Sequence, residues 1–146
     1  MTTPDPLAAE GLDASILGAA DRLREAFDRG ATRPLEWRRN QLQQLKTMMS
    51  ERGDELVRAL QADFGKPELE AWTSDIAIVS QECDHALKHL ARWTRPEKVR
   101  TPLQQSPGRS RIVRDPLGVV LIISPWNYPV QLLLSPLVGA IAAGNC

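Results

Sequence analysis

The chain has 146 residues, 42% of them hydrophobic and 25% charged, with Lys+Arg and Asp+Glu balanced at 18 each. This is the composition of an ordinary globular protein, and a net charge of zero gives no global attraction to nucleic acid or to an acidic membrane surface. The start, Met1-Thr-Thr-Pro-Asp-Pro-Leu, lacks the basic and apolar regions of a secretory signal, and Cys83 and Cys146 have neither the number nor the spacing of a disulfide framework or zinc site, so a reducing cytoplasmic location is expected.

Residues 1–11 read as a disordered amino terminus and residues 12–146 as the folded part. Asp13 can cap a first helix whose apolar positions Ile16, Ala20, Leu23 and Phe27 recur at three- and four-residue spacing, with Gly30 as its stop. Pro34 suits the first turn of a second helix, which places Leu35, Leu42, Leu45 and Met49 on one face among Arg38, Arg39, Gln41 and Lys46. Gly53 is expected to mark a joint before a third helix with Leu56, Val57, Leu60 and Phe64 inward, ending at Gly65 with Pro67 beyond. A long fourth helix follows, with Leu69, Trp72, Ile76, Val79, Cys83, Leu87 and Leu90 on one face until Pro96 stops the pattern.

Arg95 to Gly108 is rich in Pro, Gln and charge and reads as a surface connection, after which Arg109 to Arg114 reads as a short exposed strand and Asp115-Pro116 as a turn. From Pro116 to Cys146 there is no charged residue. Within that tail, Gly118 to Ser124 is an aliphatic and β-branched run without alternation, which predicts a strand covered on both faces, as in parallel sheets. Pro125 to Pro129 forms a rigid loop, and Val130 to Gly144 a helix kinked at Pro136 and ended by Gly144. Those prolines, with Asn127, Gln131 and Asn145, argue against a membrane-spanning helix.

The loop Ile123 to Pro129 is where chemistry is expected, because ligands of parallel sheets bind at the carboxyl ends of strands and two prolines restrict where the Asn127 amide can point. Two roles suit that amide: a fixed donor to a developing oxyanion, or a cap for the following helix. Cys83 falls on an apolar helix face and reads as a buried thiol, and Cys146 as a position entering a further strand. His85 and His89 are four apart, but Glu82 and Asp84 beside them fit a solvated face better than a metal site, and no metal is expected. Arg38-Arg39 and the set Arg109, Arg111 and Arg114 likewise read as solvated faces rather than anion sites.

The string Asp115-Pro-Leu-Gly-Val-Val-Leu-Ile-Ile-Ser-Pro-Trp-Asn-Tyr-Pro129, closed by Val138-Gly-Ala-Ile-Ala-Ala-Gly-Asn145, strongly resembles the aldehyde dehydrogenase superfamily, most of all its class 3 branch. The likeness reaches upstream through Ala62-Asp-Phe-Gly-Lys-Pro67 to about Leu12. The resemblance implies an α/β fold in which a helical amino-terminal layer is followed by the first strand-loop-helix of a Rossmann-like parallel-sheet cofactor domain, so that residues 12–146 are its amino-terminal part. It implies oxidation of aldehydes to carboxylic acids with NAD or NADP, through a cysteine thiohemiacetal and thioester. It gives Asn127 the oxyanion role and places Ile123, Ser124, Pro125 and Trp126 along the cofactor cleft. The family's nucleophilic cysteine and glutamate base lie far downstream, so the chain alone is expected to be inactive, and the full-length enzyme to be a homodimer or homotetramer. No Gly-rich phosphate loop follows a strand here, so cofactor binding rests on the resemblance alone.

A different class of function is a non-enzymatic helical module whose apolar tail docks onto a partner or membrane. It predicts continuous helix from Leu117 to Ala143, whereas the prolines and β-branched cluster predict strand and then helix.

Overall fold

The computed structural model describes residues 18–146. The expectations of a cap at Asp13, of an apolar position at Ile16 and of disorder over 1–11 lie outside the described residues. A first helix, α1, covers 18–28 and is followed by a turn in which Gly30 takes the left-handed conformation (φ 74°). Its Phe27 lies against Gly118 of the distant tail.

Helix α2 runs unbroken from Leu35 to Phe64, so the expected joint at Gly53 is not there. Leu42, Met49, Gly53, Val57 and Leu60 are buried along a single stripe, spaced by three, four or seven residues. Gly53 serves contact rather than a break: a Cβ at that position would lie 3.4 Å from Ile76, so its absence lets the next helix approach closely. The helix ends at Gly65 (φ 63°), whose N–H bonds the carbonyl of Gln61.

Three helical segments then follow without a break: α3 (Glu68–Ala71), a π turn (Trp72–Ala77) and α4 (Ile78–Trp93). Ile76, Val79, Cys83, Ala86 and Leu90 are buried as one stripe, but Leu69 (76% exposed) and Trp72 (50% exposed) are not. Ala71 and Asp75 are buried instead. A π turn takes in one more residue than an α turn, which rotates everything on its amino-terminal side away from a face extrapolated at constant period. Helix α2 packs on α4, and the last helix, α5 (Pro129–Ala143), packs across both through Val130, Leu134, Val138, Ile141 and Ala142.

The connection read as irregular contains a strand. β1 (Glu97–Val99) pairs antiparallel with β2 (Ser110–Ile112), in the register Glu97 to Ile112 and Val99 to Ser110. β2 falls inside the expected 109–114 strand; β1, with the sequence Glu-Lys-Val, has no periodicity to announce it. Both are largely exposed.

The 118–124 segment bends at 118 and 119 and forms no strand, so it is not the doubly covered strand expected from its composition. Leu121 and Ile123 are each 84% exposed. Its only backbone partner among the described residues is Cys146: Cys146 N–H bonds the Gly118 carbonyl at 2.9 Å, and Val120 N–H bonds the Cys146 carbonyl at 2.8 Å. That pair of bonds, flanking Val119 on one side and converging on a single residue on the other, is the pattern of a parallel rung. Asn145 supports it by accepting the Gly118 N–H on its side-chain oxygen at 3.0 Å. The described chain is thus mostly helical, with one small antiparallel sheet and one rung of parallel pairing across α5.

Helix α5 carries no charge of its own, yet both its ends are held by charged side chains from elsewhere. At its amino end, Asp75 accepts the N–H groups of Val130 (3.2 Å) and Gln131 (3.1 Å). At its carboxyl end, Gly144 (φ 88°) closes a turn in which Gly144 N–H bonds Ile141 and Asn145 N–H bonds Ala140. Arg38 donates to the Ala142 carbonyl at 3.2 Å and Thr32 to the Gly144 carbonyl at 2.7 Å. The acid at the positive end and the base at the negative end both suit the helix dipole. Pro136 is accommodated within the helix, and no described helix is long and apolar enough to cross a membrane.

Candidate functional site

The loop that leads into α5 reaches its shape through a buried ion pair. Lys66 lies just past the Gly65 stop of α2, and its ammonium is 2.8 Å from the Asp75 carboxylate, with both side chains almost fully enclosed. Removing two charges from water is expensive, so such a pair persists only when further hydrogen bonds satisfy it. Here they do. The second Asp75 oxygen takes the two N–H groups at the start of α5, while the Lys66 ammonium donates to the main-chain carbonyl of Asn127 at 3.2 Å and stands 4.0 Å from the centroid of the Tyr128 ring. The peptide joining Asn127 and Tyr128 is therefore gripped from below by a cation that is itself gripped by an acid.

This arrangement bears on one of the two roles open to Asn127, the cap. The residue before α5 is Tyr128, no side chain of its own loop caps the helix, and Asp75 fills the capping position from across the fold. Asn127 is exposed and its side-chain amide has no hydrogen-bond partner among the described residues. The capping reading fails because another acceptor already occupies the place. Beside it, Trp126 is 81% exposed, Pro125 is exposed and Ser124 half-buried, which with Ile123 forms an outward apolar ledge ahead of α5.

The remaining candidates sit elsewhere. Cys83 is fully buried in the α2–α4 core, where burial and then the neighbouring Asp84 carboxylate push its thiol up to about 11, the opposite of an activated nucleophile. Cys146 is taken up in the parallel rung with Gly118 and Val120. The rings of His85 and His89 lie 4.3 Å apart and stack towards Trp93, while His89 Nδ1 is 2.8 Å from the His85 carbonyl. Among the described residues no cluster of three His, Cys, Asp or Glu side chains could hold a metal.

One reading of a charged face needs correction. Arg38 does not lie on a solvated surface: it is buried, its pKa is lowered by burial and by nearby Arg33, and it donates to the Thr32 and Ala142 carbonyls. It falls three residues after Leu35 and four before Leu42, on the apolar face of α2, which was the available signal. Asp75 gave a similar one, an acid one residue before Ile76 and four before Val79 on a face otherwise apolar. Arg114, by contrast, pairs with Glu97 at 2.9 Å with both groups about half exposed.

The aldehyde dehydrogenase family model matches residues 8–146. The chain is 46% identical over 139 residues to aldehyde dehydrogenase family 3 comG of Dictyostelium discoideum, a match covering 95% of this chain and 29% of that protein. It is 48% identical over 129 residues to an aldehyde dehydrogenase of Craterostigma plantagineum, covering 88% of this chain and 27% of the relative. Among solved structures, the substrate-bound state of AldH from Staphylococcus aureus superposes with a TM-score of 0.82 at 39% identity, over 84% of this chain and 27% of that one. The chain thus spans less than a third of the length of each.

Proposed function

The chain belongs to the aldehyde dehydrogenase family, and from that premise we propose that it is the amino-terminal part of an NAD(P)-dependent enzyme that oxidises aldehydes to carboxylic acids. In this reading the 118–124 segment becomes the first strand of a Rossmann-like parallel sheet in the whole enzyme, and the rung from Val119 to Cys146 is where its neighbour begins. Leu121 and Ile123 are then covered by the rest of the enzyme. The full-length protein is a cytoplasmic homodimer or homotetramer.

Asn127 is the oxyanion donor. Its amide N–H stabilises the oxygen of the tetrahedral thiohemiacetal that the aldehyde forms with a cysteine outside residues 1–146, and a glutamate also outside them activates the hydrolytic water. The observation that carries this assignment is the cap of α5: because Asp75 supplies it, the Asn127 amide is left unspent at the end of a fixed loop. A preorganised donor needs no reorganisation as charge develops, and this is its advantage over water.

The ledge of Ile123, Ser124, Pro125 and Trp126 fits the nicotinamide end of a dinucleotide. Its exposed side chains are apolar, and no cationic residue occurs between Pro116 and Cys146 to oppose an oxidised, positively charged ring. For the same reason this segment offers nothing to the pyrophosphate, which other parts of the protein must hold. When bound, NAD or NADP supplies the hydride acceptor.

The docking-module alternative is not favoured, because the tail is interrupted between 117 and 128 instead of being one continuous helix. Asn127→Ala in the full-length enzyme should lower kcat for aldehyde oxidation roughly 10²- to 10³-fold. Unchanged turnover in a folded variant would remove Asn127 from the chemistry. The 146-residue chain by itself should show no NAD(P)-linked aldehyde oxidation.

A further inference from the structure

We infer that Lys66 is a positioning residue for Asn127: it aims the amide by holding the main-chain carbonyl of the same residue. This rests on the oxyanion reading above and adds to it a specific device. The Lys66 ammonium makes three contacts, the Asp75 carboxylate at 2.8 Å, the Asn127 carbonyl at 3.2 Å and the Tyr128 ring face at 4.0 Å. Two of them fall on consecutive residues of the loop, so the cation fixes both sides of one peptide plane. The Asn127 side chain leaves its Cα directly beside that plane, so anchoring the Asn127 carbonyl fixes the point and the Cα–Cβ direction from which the amide is presented.

The anchoring is rigid at its base. Lys66 follows the left-handed Gly65 that stops α2, and Asp75 lies in the π turn, which brings it onto the buried face with Ile76. Asp75 also binds the first N–H groups of α5, so one carboxylate fixes the cation below the loop and the helix leaving it. A solvated lysine would lose this control, since a flexible ammonium in water exerts little directional hold. A donor displaced by about an ångström loses a large part of its catalytic effect, so a residue that never touches substrate can set the rate through this carbonyl.

The test is a double-mutant cycle in the full-length enzyme, with thermal unfolding run on every variant. Lys66→Met should lower kcat roughly 10- to 100-fold while KM for NAD(P) changes less than about threefold. The critical readout is the combination with Asn127→Ala. If Lys66 acts by aiming Asn127, then Lys66→Met adds no further loss once the amide is gone, and the double variant turns over like Asn127→Ala alone. Losses that multiply, or full activity in folded Lys66→Met, overturn the inference while leaving the oxyanion reading standing. Full activity in Asn127→Ala overturns both.

Leaving Asp75 charged and unpaired could unfold Lys66→Met, so the charge-neutral pair Lys66→Met with Asp75→Asn goes through the same cycle. It keeps an acceptor for the α5 N–H groups and no buried charge. Multiplying losses in that background overturn the inference equally, and a loss absorbed by Asn127→Ala sustains it.

Discussion

Gly144→Ala tests how the carboxyl end of α5 is built, and Gly65→Ala supplies its control. Both glycines end a helix in the left-handed region, at φ 88° and φ 63°, so an alanine at either costs roughly 1–2 kcal/mol of backbone strain. Their surroundings differ. A Cβ at Gly65 meets nothing within 4 Å, whereas one at Gly144 would sit 2.5 Å from the guanidinium carbon of Arg38. That guanidinium is buried and donates to Thr32 and Ala142 at 2.9 and 3.2 Å, so it cannot move aside without giving up charged hydrogen bonds, each worth about 1.5–3 kcal/mol. Gly144→Ala should therefore destabilise by roughly 3–6 kcal/mol, some 2–4 kcal/mol more than Gly65→Ala. Urea unfolding followed by tryptophan fluorescence measures both. The Arg38→Ala background refines the test, because with the guanidinium gone the Gly144→Ala effect should shrink to the backbone strain alone. Equal losses at the two glycines, or an unchanged Gly144→Ala effect in that background, would refute the packing argument.

Two further outcomes follow from the core and the tail. The Cys83 thiol, raised from 9.0 to about 11, stays protonated in the folded state at a pH where the unfolded chain releases its proton, so stability should fall by on the order of 2 kcal/mol between those values. Cys83→Ala should flatten that part of the pH–stability curve, and native alkylation at pH 8 followed by mass spectrometry should mark Cys146 before Cys83. Replacing Leu121 and Ile123 by threonine should suppress self-association of the 146-residue chain in light scattering, since these two apolar side chains are exposed. Association that is unaffected would locate the sticky surface elsewhere.

The helices were legible because their apolar positions repeat, and Gly65 and Gly144 were correctly read as stops. What periodicity could not show is where it slips. Gly53 looked like a break because glycine is a poor helix former, but propensity is a weak prior and the contact with Ile76 outweighs it. The π turn moved Leu69 and Trp72 out of the face to which a constant period assigns them. Composition pointed to a buried strand at 118–124 where the structure has none, because pairing and burial depend on partners that composition does not contain. At the candidate site the loop before α5 was readable from its two prolines. Lys66 and Asp75 were not, because their pairing is made by tertiary approach, 61 residues separating Lys66 from the carbonyl it holds.

The charges that hold α5 also have an order in time. Arg38 and Asp75 both precede α5 in the chain, so during synthesis the residues that receive its two ends leave the ribosome first. Until α5 arrives, each can remain hydrated, and the desolvation of both coincides with the docking of a helix that brings only backbone dipoles to meet them. A register error that slid α5 by one turn would take their α5 partners from one Asp75 oxygen and from Arg38 at once. Insertion is thereby proofread at both ends by groups that the inserting helix does not carry.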